Sequence, residues 1–199
     1  MDHDMDDITL FISNATILKN MDIQPHDENK NKNILISLAT IPSHYIILTF
    51  DNVDFEVFPV LPKTIRCLNF SQCRMLTDDD IELHEGIDRL RIELRSTSVM
   101  LSIKKFPSTL RHLHLRKISG TALPDLPDNL ESLTLTRDHF ETYPSRLPRY
   151  LTTLDLSESN WTELPNFPDG LETLKIWGMK IANMLKIPES VEECDLYTF

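Results

Sequence analysis

The sequence predicts a mostly β solenoid, with short strands stacked in parallel into one concave sheet and a Pro-rich, largely non-helical convex side. Three observations carry this. Apolar residues recur three, six and eight places after a Pro; the spacing between units is nearly constant; and the second half of each unit is rich in Pro. In the clearest pair, Pro148 is followed by Leu151, Leu154 and Leu156, and Pro168 by Leu171, Leu174 and Ile176. Pro42, Pro62, Pro107, Pro127 and Pro188 head the same pattern, and His84 takes the Pro place before Ile87, Leu90 and Ile92. Units begin at 42, 62, 84, 107, 127, 148, 168 and 188, a period of 20 to 23 residues. Self-similarity at such a period marks units that bury a face only by stacking.

Within each unit the apolar residues at the sixth and eighth places lie two apart, so on a strand both face the core and the residues between and beside them face outward. Pro cannot donate to a sheet ladder and disfavours helix, which makes the return half extended or polyproline-like. Residues 78–84 and 98–105 have few breakers and are expected to hold a short helix or a 3₁₀ turn. Residues 1–40 read as an incomplete first repeat that caps the N-terminal end, with Leu10 and Ile12 as its inward pair. A polar insertion covers residues 19–33, after which Leu35, Leu38 and Ile41 occupy return-half places. Residues 41–199 hold eight units, the last one incomplete.

These residues resemble the leucine-rich-repeat superfamily, whose unit reads Leu-x-x-Leu-x-Leu-x-x-Asn-x-Leu. The closest likeness is to the short bacterial repeats of secreted effectors typified by YopM and the IpaH ubiquitin ligases, with Leu-Pro-x-Leu-Pro in the second half. Leu123-Pro124-Asp125-Leu126-Pro127 matches that signature, and Leu164 to Pro168, Phe58 to Pro62 and Tyr143 to Pro148 match it loosely. The resemblance spans residues 41–199 and implies recognition of host proteins by the repeats. No ligase domain or catalytic Cys motif carries over. One place departs from the family: its ladder asparagine is replaced by Val53, Cys73, Arg95, Ile118, Asp138, Ser159 and Met179. That ladder satisfies backbone groups at a turn, so its loss argues against regular curvature and high stability.

A formal net charge of −11 argues against generic binding of nucleic acid or anionic membrane. Three cysteines make no disulfide framework and no zinc site. Cys73 and Cys194 fall at inward places and Cys67 on the concave side, which suits a reducing, cytoplasmic setting. The acidic start, Met1 to Asp7, lacks the features of a secretory signal, and no apolar run approaches a membrane span. A secreted effector acting inside a host cell remains compatible with these features.

Between Arg89 and Lys117 lie eight Lys or Arg residues and one acid, Glu93. The frame places Arg89, Arg91, His112, His114 and Arg116 on one concave face of two adjacent strands, with Arg137 at its edge. This is either a solvated face balancing the acidic loop 78–88 or a docking patch for an acidic or phosphorylated protein segment, since Arg forks bind carboxylate and phosphate. Single-stranded nucleic acid fits poorly because no aromatic interleaves these charges. Asp155, Lys175, Trp177 and Tyr197 form a second candidate patch near the C-terminus, where exposed aromatics suit a binding hot spot. Trp161 is expected in the core. No residue set suggests catalysis, a cofactor or a metal: His112 and His114 share a face, but Arg91 and Thr134 beside them are poor ligands.

The expected function is therefore a non-enzymatic protein-interaction module that binds through its concave face. The alternative is the substrate-recognition or regulatory subunit of a ubiquitin ligase or phosphatase complex. A repeat protein without a dedicated ligand is a third reading. The last strand, around Cys194 to Tyr197, is expected to leave one edge unpaired, open to self-association or a partner unless Tyr197 and Phe199 cover the core.

Overall fold

The structure is a computed structural model that describes residues 9–13, 16–17, 44–58, 60–76, 80–95 and 103–198. It is a parallel β-solenoid. Among the described residues thirteen strands run in chain order: β1 (Thr9–Ser13), β2 (Thr16–Ile17), β3 (Ile47–Asp51), β4 (Asp54–Phe55), β5 (Cys67–Met75), β6 (Arg89–Leu94), β7 (His112–Arg116), β8 (Ser119–Ala122), β9 (Ser132–Thr136), β10 (His139–Thr142), β11 (Thr153–Asp155), β12 (Thr173–Met179) and β13 (Glu193–Thr198). The main sheet follows the order β1-β3-β5-β6-β7-β9-β11-β12-β13, all parallel, and β8 pairs β10 in a small second sheet.

The register of that sheet puts like on like. Leu48, Leu68, Leu90, Leu113, Leu133, Leu154 and Leu174 are successive partners, as are Phe50, Phe70, Ile92, Leu115 and Leu135. Both columns are buried, and so is a third made of Ile65, Ile87, Leu110, Leu130, Leu151 and Leu171. Each buried Leu or Ile contributes roughly 1.5–3 kcal/mol, so the columns dominate stability. Leu10 and Ile12 of β1 continue the first two columns by pairing with Leu48 and Phe50. Trp161 is buried and stacks on Tyr143, with ring centroids 5.0 Å apart.

Pro placement follows from turn geometry. The carbonyls of Pro62, Pro107, Pro127, Pro148, Pro168 and Pro188 each accept a bond from the N–H three residues on, at 3.1–3.3 Å. A Pro that heads such a turn needs no N–H of its own. After each turn, two successive N–H groups donate to one carbonyl of the preceding coil, as Arg111 and His112 do to Asp88 at 2.8 and 3.0 Å.

Past the inward pair, in the units headed by Pro42, Pro62, Pro107, Pro127, Pro148 and Pro168, the chain turns through a left-handed residue. Asn52, Gln72, Lys117, Arg137 and Glu158 have φ between 51° and 58°, and Gly178 has φ 67°. Only Gly, and to a lesser degree Asn, adopts this conformation without strain. Its purpose is visible in the ladder: the N–H groups of Asn52, Lys117, Arg137 and Glu158 donate forward to Ser71, Thr136, Ser157 and Trp177 at 2.6–3.2 Å. The next carbonyls, of Val53, Cys73 and Ile118, accept from Arg74, Arg95 and His139 at 2.8–2.9 Å. Backbone thus satisfies backbone where an asparagine ladder was expected to be needed, and the ladder place itself is free to hold the buried side chains of Val53, Cys73, Ile118 and Met179.

Asp138 is the costly member of that place. It is fully buried; Oδ1 accepts a short hydrogen bond from the Tyr143 hydroxyl, and Oδ2 has no partner among the described residues. Burial pushes its carboxyl pKa up, against the pull of the nearby hydroxyls.

Three expectations are corrected. Cys194 continues the first column opposite Leu174, yet it is exposed, because no further coil covers it among the described residues. The longer units hold no helix among their described residues; instead Ile81 bridges Ile103 in parallel, and 77–79 and 96–102 lie outside the described residues. Tyr197 stands on the open face with Trp177 as partner, 58 % exposed, so it does not close the core. Phe199, the insertion at 19–33 and Leu35, Leu38 and Ile41 lie outside the described residues.

Two substitutions test this architecture. Leu133→Asp puts an unpaired charge at the centre of the main column, a cost of several kcal/mol, and should abolish cooperative unfolding in a denaturant titration; a wild-type transition would mean the register is wrong. Asp138→Asn removes the buried charge and should stabilise by about 1 kcal/mol, or about 2–4 °C in Tm, at neutral pH. Because the folded pKa lies above the unfolded one, the native state holds the extra proton and wild-type stability falls as pH rises through the window between them. The gain from Asp138→Asn should therefore shrink on acidification toward the ordinary carboxylate range, as thermal melts across pH would read.

Candidate functional site

The outward-facing residues of the main sheet lie in three rows set by the strand pairing. Cys67, Arg89, His112, Ser132, Thr153, Thr173 and Glu193 form the first; Asn69, Arg91, His114, Thr134, Asp155, Lys175 and Asp195 the second. The third begins Ser71, Glu93, Arg116, Thr136, and Trp177 pairs Tyr197 further along it. Arg89, Arg91, His112, His114 and Arg116 therefore do share one face of β6 and β7.

Their charges are not equally available. Glu93, almost fully buried, sits between two arginines: Arg91 Nη2 reaches its Oε2 at 3.2 Å, and Arg116 Nη1 its Oε1 at 3.3 Å. Gln72 Nε2 also donates to Oε1, at 3.0 Å. Arg137 is bound in a two-pronged pair to Glu158, at 3.0 and 3.1 Å, on the row of left-handed residues. His114 has its Nε2 buried without a hydrogen-bond partner among the described residues, and burial, with Arg91 beside it, lowers its pKa, so it is neutral at neutral pH.

Arg89 differs: it is exposed, and its guanidinium has no ion-pair partner among the described residues. It opens onto a polar groove of about 890 Å³ along the strand-entry side, shared with Arg66, Arg111 and His112 and with the acids Asp88 and Glu131. Arg66 is likewise without an ion pair among the described residues, whereas Arg111 reaches Glu131 at 3.0 Å. The turn residues Ser108 and Thr109 and Tyr150 also line the groove. Arg66 and Arg111 were not among the sequence candidates. The signal is in the sequence, since both stand four places after the unit start, but that place lies just before the strand and outside the alternation that marks its open face.

Lys104 and Lys105 lie outside the strands in the return segment, and Lys104 is ion-paired to Asp80. In the C-terminal patch, Lys175 lies between Asp155 and Asp195 in the second row and pairs with Glu193 at 2.8 Å. The Asp155 carboxylate accepts from the Ser157 N–H at 3.0 Å and hydroxyl at 2.6 Å. Trp177 is 46 % exposed. Burial pushes the Cys73 thiol up to about 11, so it is unreactive at neutral pH. Among the described residues no three His, Cys, Asp or Glu side chains gather as a metal-holding group, and no helix is long and apolar enough to cross a membrane.

The shared carboxylate gives a direct test of the charge balance. Glu93→Gln leaves Arg91 and Arg116 in adjacent strands without their counter-charge, and it should cost about 1–3 kcal/mol in low salt. Denaturation at 1 M salt should show a smaller loss, because screening at a Debye length of about 3 Å removes repulsion between the arginines. An equal loss at both salts would mean that Glu93 acts by packing alone. No family model matches this chain, and no curated protein matches it.

Proposed function

We propose that this solenoid is a leucine-rich-repeat-type protein-interaction module that binds an acidic or phosphorylated segment of a protein partner on the open face of its main sheet. The observation that carries the reading is the pair of exposed guanidinium groups, Arg66 and Arg89, without an ion pair among the described residues, on one polar groove beside Arg91 and Arg116. In a chain of net charge −11, a local excess of arginine has no role in general solubility. Arg forks take up carboxylate and phosphate in two-pronged geometry, and a groove lined by polar side chains has few apolar contacts to offer instead. The repeat frame, with its Leu-x-Leu strands and Leu-Pro-x-Leu-Pro returns, supports the family assignment. Cys67, Cys73 and Cys194 form no disulfide among the described residues, which favours a reducing compartment such as the cytoplasm.

Binding of a fluorescent acidic phosphopeptide, followed by anisotropy, tests the reading. Affinity should fall several-fold between 0.1 and 1 M salt, as the Debye length shrinks from about 10 to about 3 Å. Arg89→Glu should weaken binding at least ten-fold, a loss typical of a desolvated charge contact. Arg91→Glu and Arg116→Glu should weaken it less, since Glu93 already shares those guanidiniums. Lys104→Glu and Lys105→Glu should leave it nearly unchanged. Equal losses for all five would show that only net charge counts.

A further inference from the structure

The open face of the main sheet is electrically two-ended. On β5, β6 and β7, counted with the residue that enters each strand, six arginines (Arg66, Arg74, Arg89, Arg91, Arg111 and Arg116) stand against two acids, Asp88 and Glu93, and of the six Arg74 is held by Asp54 of β4. On β11, β12 and β13, counted in the same way, the balance is inverted: five acids, Asp155, Glu172, Glu192, Glu193 and Asp195, against the single cation Lys175. The strand between them, β9, presents Ser132, Thr134 and Thr136, and its entry residue Glu131 is neutralised by Arg111. At the acidic end Trp177 and Tyr197 are partners on neighbouring strands and both stand exposed, side by side on the third row.

An exposed aromatic pair in a negative field has a defined chemical preference. The ring faces attract a guanidinium or ammonium group, surrounding carboxylates add a second attraction, and apolar or anionic groups gain neither. Lys175 cannot serve as that cation, because it is already held by Glu193. From β6 to β13 the main sheet takes five steps, through β7, β9, β11 and β12. At about 4.8 Å per step this is about 24 Å, the reach of about seven extended residues.

We infer that the Trp177–Tyr197 shelf takes a Lys or Arg side chain of the same partner segment whose acidic or phosphorylated end meets Arg89, so that the ligand is one extended, charge-polarised segment lying across the strands. This rests on the reading of the arginine end proposed above and adds to it a second contact, a spacing and a fixed orientation.

Three labelled peptides separate the two ideas: the acidic phosphopeptide alone, the same peptide with two arginines after a spacer of about six residues, and the same with the two arginines directly adjoining the acids. The spaced peptide should bind about ten-fold more tightly than the acidic one, a gain within the range of a desolvated cation–π contact. The adjoining arginines should bring no gain, since they would fall against β7 and β9. Trp177→Ala and Asp195→Asn should each remove the gain while leaving the acidic peptide's affinity unchanged. If the spaced peptide binds no better, or its gain survives Trp177→Ala, the inference is wrong and the arginine site stands. If the acidic peptide itself does not bind, the reading of the arginine end fails and takes the inference with it. Sedimentation without peptide gives the remaining check: a wild-type dimer that Trp177→Ala converts to monomer would assign the shelf to a second copy of the chain and overturn the inference.

Discussion

Everything in this protein depends on each coil closing so that it arrives one strand spacing further along with its Leu above the previous Leu. Parallel strands have no hairpin to set their pairing, so register has to come from elsewhere. Here two fixed corners supply it. The Pro-headed turn sets where a strand starts, and the left-handed residue sets where it stops. Asn52, Gln72, Lys117, Arg137 and Glu158 hold that second corner in a conformation that disfavours four of those five residue types. The strain persists because the N–H groups freed by the corner are the ones the neighbouring coil uses. The coil headed by His84 lacks a left-handed residue at this place, and the pairing of β5 with β6 shifts register between Ser71 and Cys73.

The same stacking governs the electrostatics. Residues at one place in successive units are brought to within a strand spacing of each other, so any charge repeated from unit to unit repels its copy. Arg91 and Arg116 are close enough to share Glu93, and Arg137 meets the Glu158 one coil on. Pairs of this kind contribute little each when exposed. Their effect is selective: they neutralise the arginines near the strand ends and leave Arg66 and Arg89, at the strand starts, without an ion pair among the described residues.

The fold was legible because it rests on residues that repeat. The Leu133 column, the outward rows and the inward pair Leu10 and Ile12 all follow from one frame, and the strand pairing reproduces them. What was not legible depends on where two side chains end, which a frame does not specify. Glu93 counted as the single acid in a basic run, whereas in space it is the centre of three contacts, from Gln72, Arg91 and Arg116. Asp138 looked like a lost asparagine, yet its consequence is a buried carboxyl bonded to Tyr143, five residues on. Cys194 shows the limit of periodicity itself: the frame assigns it to the core, but a place in a column is buried only if something lies on both sides.

The strand between the poles, β9, and the first strand of the acidic pole, β11, carry mostly hydroxyls outward and are built on the same backbone plan as their neighbours. Since a coil touches only the coils beside it, one of them can be duplicated or deleted without redesigning the rest. Each such event would move the basic end relative to the aromatic end by one strand spacing, about 4.8 Å. In this architecture the separation between two binding features is a counted quantity, adjustable in whole units by recombination within the gene and insensitive to point substitution.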